Sequence, residues 1–322
     1  MPKKGQKEVS QIVSTIQLQQ FKKGVLDITK GGNVERHKNW LAEKGKEASM
    51  AWSLVPWHPM DMLSIFNSQY QVAFARRYRI SRPAMAEAPN ACQCGHRQGM
   101  TGYDRMGDHD EGTCSKNARG RTEAHNSFQD VWIGFLNACG MRGVKKEVVN
   151  WAPKSPGKWA NVPNIICKDP MGVKSYVIDC RIAWNHTTGG ATNYKKTGDN
   201  ARKGEEAKRR TWKKAIDAQT GHRDFTQGNT EFVPLSVEIT GVWGNATKNF
   251  FDTCVDWAGQ GRDVDLYTWS SASFKGFWKQ AMMACLARER GNVGLKARLR
   301  TTDVTNCAKR HTTEADQDNI GR

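Results

Sequence analysis

The stretch NVPNIICKDPMGVKSYVIDCRIAWN, residues 161–185, constrains the fold of this chain more than any other. It reads as two β-strands, because runs rich in Val, Ile and Tyr are broken by a turn containing Pro170 and Gly172. Each strand carries one polar residue in an apolar setting, Asn164 in the first and Asp179 in the second, with Arg181 two positions further on. Adjacent strands that each present a side-chain oxygen are how a magnesium-dependent nuclease arranges its ligands, since Mg²⁺ takes hard oxygen donors. Here the first position is an amide. The hairpin is thus open to three readings: a nuclease site, a nuclease site that has lost its function, or a buried hairpin without chemistry.

The flanking sequence extends the pattern. An amphipathic helix is expected over 121–139, closed by Gly140 as a C-cap. GVKKEVVNW, VPNIICK, SYVIDCRIAW and EFVPLSVEIT are the strand candidates, and a charged helix over 200–218 separates the last two. The order α, β, β, β, α, β predicts a sheet with helices packed on it, of the α+β or α/β class. Before this core, apolar residues at roughly helical spacing, among them Ile12, Ile16, Leu63, Phe66, Tyr70 and Phe74, predict a helical region over 1–90. A cysteine- and histidine-rich segment follows at 91–119, then the core at 120–259. A helix expected over 245–257 closes that core, and one over 271–289 falls within a C-terminal helical segment at 260–302. A polar tail, frayed from about 303, completes the chain at 322.

The net charge of +17, with a pI near 9.6, directs attention to polyanionic partners, because neutralising phosphates releases condensed counterions. Nucleic acid is the expected partner. No apolar run is long enough to span a bilayer, and the N-terminus lacks a secretory apolar region, so no membrane partner and an intracellular setting are expected. Nuclear and mitochondrial or other organellar homes both fit.

Nine cysteines without a secretory signal favour thiols and metal sites over disulfides. Cys139, Cys167, Cys180, Cys254 and Cys285 lie in apolar stretches and read as small core residues. The segment CQCGHRQGMTGYDRMGDHDEGTC is different. Cys92, Cys94, His109 and Cys114 form a ligand set for tetrahedral zinc, which would be structural, with His96 an alternative to one of the four. Such a polar loop has few apolar groups of its own to bury, so a bound ion would hold it in place.

The Cys/Cys/His/Cys segment, RTEAHN, KKEV, VPNII, VIDCRIAW and FVPLSVEITGVWG occur in an order similar to the zinc knuckle and restriction-like endonuclease at the C-terminus of site-specific non-LTR retrotransposons. The chain also resembles related reverse-transcriptase tails of algal and protist retroelements. The likeness spans about residues 40–300 and rests on order and spacing, since each motif is short. It implies a restriction-endonuclease-like mixed sheet flanked by helices, of the PD-(D/E)xK superfamily, behind a zinc knuckle and a helical N-terminal region. It also implies that Glu147, the position of Asn164, Asp179 and the helical Lys208 make the catalytic site, with Arg181 in the place of the superfamily lysine and Mg²⁺ as cofactor in an active enzyme. Two departures weigh against activity. Asn164 replaces an expected aspartate, and Arg181 sets a fixed positive charge beside Asp179.

Basic residues are the expected nucleic-acid contacts. Arg76, Arg77, Arg79 and Arg82 precede the knuckle, and Arg119 and Arg121 follow it. Lys195, Lys196, Arg202, Lys203, Arg209 and Arg210 gather around the charged helix, with Trp212 as a base-stacking residue. Three functional readings compete. One is a nucleic-acid-binding protein descended from a retroelement endonuclease, a subunit of a ribonucleoprotein such as a ribosome beside other proteins. The second is a working Mg²⁺-dependent DNA endonuclease. The third is a zinc-stabilised structural protein of an assembly.

Overall fold

A computed structural model describes residues 65, 67–77, 94, 112, 114–148, 163–184, 198–217, 229–259 and 273–318. Its elements are α1 (Asn67–Arg77), a 3₁₀ turn (Ser115–Asn117), α2 (Ala118–Ala138), β1 (Arg142–Lys146), β2 (Ile165–Lys168) and β3 (Ser175–Ala183). They continue with α3 (Asp199–Asp217), β4 (Thr230–Glu238), α4 (Asn245–Ala258) and α5 (Phe274–Asp318). The strands form one mixed sheet in the order β1-β2-β3-β4, antiparallel at the first two junctions and parallel between β3 and β4. A parallel pair needs a crossover, and α3 supplies it.

Alternation along β3 divides the molecule into layers. Tyr176, Ile178, Cys180 and Ile182 join Ile165, Cys167, Val233, Leu235 and Val237 in the main core, with residues of α2, α4 and α5. Val177 faces the other way and packs on Trp212 of α3, flanked by Ile166 and Phe232. The sheet therefore lies between α3 on one side and the other long helices on the other. Aromatic rings fill the larger layer. Trp132 is fully buried and meets Phe128, Phe135, Trp243, Phe250 and Phe251, with Phe135 stacked on Phe251 at 4.7 Å between ring centres.

Local chemistry sets the element boundaries. Gly140, at φ +79°, ends α2 in a Schellman turn: its N–H donates to the Asn137 carbonyl, and that of buried Met141 to the Leu136 carbonyl. The strand expected over GVKKEVVNW ends at Lys146, because Glu147 takes φ +47°; its last residues, 149–151, lie outside the described residues. Pro234 is compatible with β4 because, among the described residues, that strand is the edge of the sheet. All five cysteines expected in the core are buried, and the Cys167 and Cys285 thiols are pushed up to about 12 by burial.

One expectation needs correction. The C-terminal helix does not end near 289 with a frayed tail after 303; α5 continues to Asp318. Trp257 of α4 is 37% exposed and its ring lies 5.8 Å from that of Tyr176. The first half of α5 joins the same core as α2 and β4 through Phe277, Trp278 and Ala281–Ala287. At its crossing with α1, Gly291 admits the Gln69 backbone, and a Cβ there would stand 2.7 Å from it. Among the described residues, no helix is long and apolar enough to cross a membrane.

Candidate functional site

The sheet register brings three of the expected catalytic positions level. Lys146 pairs with Ile165, and Ile165 with Ile178, so the next step in each strand direction sets Glu147, Asn164 and Asp179 side by side. The Glu147 N–H donates to the Asn164 carbonyl at 2.9 Å, holding the first two together. Strands lie about 4.8 Å apart, which puts the Glu147 backbone about 10 Å from that of Asp179. Glu147 is exposed, just beyond its strand.

Side-chain oxygens at the other two positions already have partners. Asn164 Oδ1 accepts the Cys180 backbone N–H at 2.7 Å, and the Asn164 carbonyl also accepts from Gln129 Nε2 at 2.6 Å. Asp179 is 6% exposed, and its two oxygens are divided between two residues of α3. Oδ1 meets Lys208 Nζ at 2.7 Å, and Oδ2 accepts from Trp212 Nε1 at 2.7 Å. Lys208 and Trp212 are four residues apart, so one turn of α3 presents both donors to the same carboxylate. The helix can approach this closely because Gly204, one turn earlier, packs on Ser236 and the Arg181 stem: a Cβ on it would lie 2.3 Å from Ser236 Oγ and 3.2 Å from Arg181 Cδ. Arg181 is exposed and reaches past α3.

Trp212 therefore corrects an expectation. It is 2% exposed and stands under the helix, so it offers no face to a base. Helical spacing explains the placement. Ala201, Glu205, Lys208 and Trp212 share the inner stripe of α3, while Arg202, Lys203, Arg209 and Arg210 are exposed outside. Arg202 is committed to Asp199 at 3.2 Å and Glu206 at 2.5 Å, which raises its pKa.

A second feature arises where β2 ends. It pairs with β3 only over Ser175–Ile178, and among the described residues no strand continues along that edge. α2 takes the place of a strand for one step: His125 Nε2 lies 3.1 Å from the Cys180 carbonyl, opposite the Asn164 contact to its N–H. Past this point an open groove of about 580 Å³ runs between α2 and α3. Arg121, Thr122 and His125 line it from α2, Arg181, Ile182 and Trp184 from β3 and its end, and Lys208 from α3. Arg121 also donates to the Cys114 carbonyl at 2.9 Å, and burial lowers its pKa. Trp184 escaped the reading of the sequence, in which nothing local sets it apart from the other apolar residues of SYVIDCRIAW.

Of the other expected contacts, Arg119 is exposed and paired with Glu123 at 3.0 Å. Arg76 and Arg77 fall at the end of α1, whereas Arg79, Arg82, Lys195 and Lys196 lie outside the described residues. So do Cys92 and His109 of the zinc set. Cys94 is half-buried and Cys114 is buried at the start of the 3₁₀ turn. Among the described residues, no three His, Cys, Asp or Glu side chains are placed to hold a metal ion. No family model matches the chain, and no curated protein matches it.

Proposed function

We propose that the chain is a nucleic-acid-binding protein built on a restriction-endonuclease-like core whose acidic site no longer serves hydrolysis. Support for the core comes from the succession α2, β1, β2, β3, α3, β4 and from the level row of Glu147, Asn164 and Asp179. Support for the partner comes from the charge of +17. The observation that carries the loss of hydrolysis is the double hold on Asp179 by Lys208 and Trp212.

These donors do not fit Mg²⁺. The ion demands an octahedron of oxygens with lone pairs directed at it. Asn164 turns its amide oxygen to a backbone N–H and brings no negative charge. Both Asp179 oxygens carry N–H donors, and the Lys208 ammonium stands against one of them. Glu147 remains as a single exposed carboxylate, too little to collect the ion. A zinc ion on Cys92, Cys94, His109 and Cys114 would have the structural role of a closed four-ligand site. The setting that fits best is a ribonucleoprotein, with RNA or DNA as the direct partner and other proteins beside it.

The test is incubation of the purified protein with supercoiled and branched DNA in Mg²⁺ or Mn²⁺, beside a binding titration across salt concentrations. Binding that weakens steeply with salt, without cleavage, is the expected result. Cleavage abolished by Asp179→Ala would show a working endonuclease instead. Metal analysis is expected to return about one zinc per chain.

A further inference from the structure

We infer that the groove at the open edge of β3 is a binding site for single-stranded nucleic acid, in which one nucleotide seats its phosphate among Arg121, Arg181 and Lys208 and stacks its base on Trp184. The inference rests on the nucleic-acid reading above and gives it a location on the molecule.

Three observations carry it. The first is shape: pairing of β2 with β3 stops at Ile178, no strand among the described residues continues along that edge, and a notch of about 580 Å³, open to solvent, lies there. That is room for a nucleotide unit, while α2 and α3 stand on either side as walls. The second is charge. Arg121 from α2, Arg181 from β3 and Lys208 from α3 line the notch from three elements, and among the described residues no carboxylate side chain lines it. Asp179, which neutralises Lys208, lies on the α3 side of the sheet and is nearly buried. Arg121 spends one guanidinium nitrogen on the Cys114 carbonyl, which fixes the side chain and leaves its other donors for an anion. A phosphodiester suits this arrangement because guanidinium forks match its oxygens.

The third observation selects single strands. Trp184 lines the notch at the end of β3 and is only partly buried, its ring packed against the main core from one side. A ring supported by the core presents a surface on which an unpaired base can stack, whereas a base inside a duplex is already covered. The Ile182 position adds backbone polar groups on the strand edge that β2 leaves unpaired among the described residues.

Equilibrium binding of fluorescently labelled oligothymidylate, oligouridylate and an abasic oligomer of equal length tests this on the full-length protein. Trp184→Leu is expected to weaken binding of both base-bearing strands about tenfold and to leave the abasic strand unchanged, while Trp184→Phe keeps most of the affinity. Arg181→Gln, at an exposed side chain, is expected to weaken all three and to lower the salt slope by about 0.7. Equal affinities for the two base-bearing strands support the groove as drawn. A preference for either sugar that Trp184→Leu reduces supports it too, and names the source. Unchanged affinities in both Trp184→Leu and Arg181→Gln, with salt-dependent binding intact, would overturn the groove alone. No salt-dependent binding by the wild-type chain would overturn the groove together with the nucleic-acid reading.

Discussion

At Asp179, hydrogen bonding decides more than residue type. A carboxylate on a central strand is the part of the site that sequence reading found, and its placement beside Asn164 was legible from hairpin spacing alone. A salt bridge from Lys208 was one reading of that carboxylate as well; the second hold, from Trp212, was not legible. Lys208 and Trp212 are 29 and 33 residues away in the chain, and only the docking of α3 makes them neighbours. The same docking turned Trp212 from an expected base platform into a buried donor. Asn164→Asp alone is therefore expected to restore no cleavage, since Asp179 stays engaged. Asn164→Asp combined with Trp212→Phe frees one Asp179 oxygen and is the variant in which Mg²⁺-dependent cleavage of supercoiled DNA is to be sought. Trp212→Phe alone should lower stability by about 1 kcal/mol in a denaturant titration, the worth of one buried hydrogen bond.

At Glu205, burial works against hydrogen bonding. Burial raises its pKa, although the Ala246 and Thr247 N–H groups, at 2.9 and 3.4 Å, favour the carboxylate. A carboxyl group whose pKa is raised in the folded state holds its proton more tightly there than when unfolded. Its contribution is therefore most favourable at low pH and declines as pH rises from the ordinary carboxylate value through the raised one. Glu205→Gln keeps an oxygen for the two N–H groups and removes that decline. The expected difference is a flatter stability–pH curve for the variant above pH 4, measured by thermal unfolding. Glu205→Ala loses the helix contact as well and is expected to cost about 1 kcal/mol at neutral pH.

Among the elements, those with strong periodicity or clear stop signals were legible. The helix expected over 200–218 is Asp199–Asp217, and the one over 245–257 is Asn245–Ala258. Gly140 closes α2 as expected, since only a residue without a Cβ takes φ +79° at little cost. Gly140→Ala should lower stability by about 1 kcal/mol, read from the shift of a denaturation midpoint. β1 came out shorter than its apolar letters promised, and α5 longer. The polar sequence beyond 289 has no apolar stripe to announce a helix, but its Ala, Leu and Arg content favours one, and its first turns are docked on α1 through Gly291 and the Gln69–Asn292 contact at 2.7 Å. A methyl group at Gly291 would press on backbone that has no rotamer to change. Gly291→Ala is expected to destabilise by about 1–3 kcal/mol in the same titration.

Viewed whole, the molecule separates into a part governed by packing and a part governed by charge. The first is one sheet, with a core on one side shared by α2, α4 and α5 and a smaller cluster under α3 on the other, which together hold most of the buried apolar residues. The order of elements in the sequence was enough to expect a sheet with helices packed on it, but not that α5 shares its core, and the groove was not readable from it. It exists because β2 has four residues and β3 has nine, a difference in length that no local motif encodes. The surplus of positive charge belongs to the second part. Raising salt should weaken nucleic-acid binding far more than it changes the unfolding midpoint, because the core contains few ion pairs and the exposed cations contribute little to stability. Parallel titrations of binding and unfolding in the same buffers make that comparison.

The reciprocal hold between neighbouring elements has one further outcome. The end of β4 reaches the start of α3, where Glu238 accepts the Asn200 N–H at 3.2 Å, and α3 in turn reaches the start of α4 through Glu205, which Gly244 admits by having no side chain. α3 and α4 are thus each latched by a carboxylate borrowed from another segment, and the Thr247 hydroxyl of α4, bonded to the Ser236 backbone, closes the circuit back to β4. Cutting the circuit at any one latch loosens all three segments together. Amide exchange along α3 and α4 should consequently rise in concert, not piecemeal, when Glu238 or Glu205 is replaced.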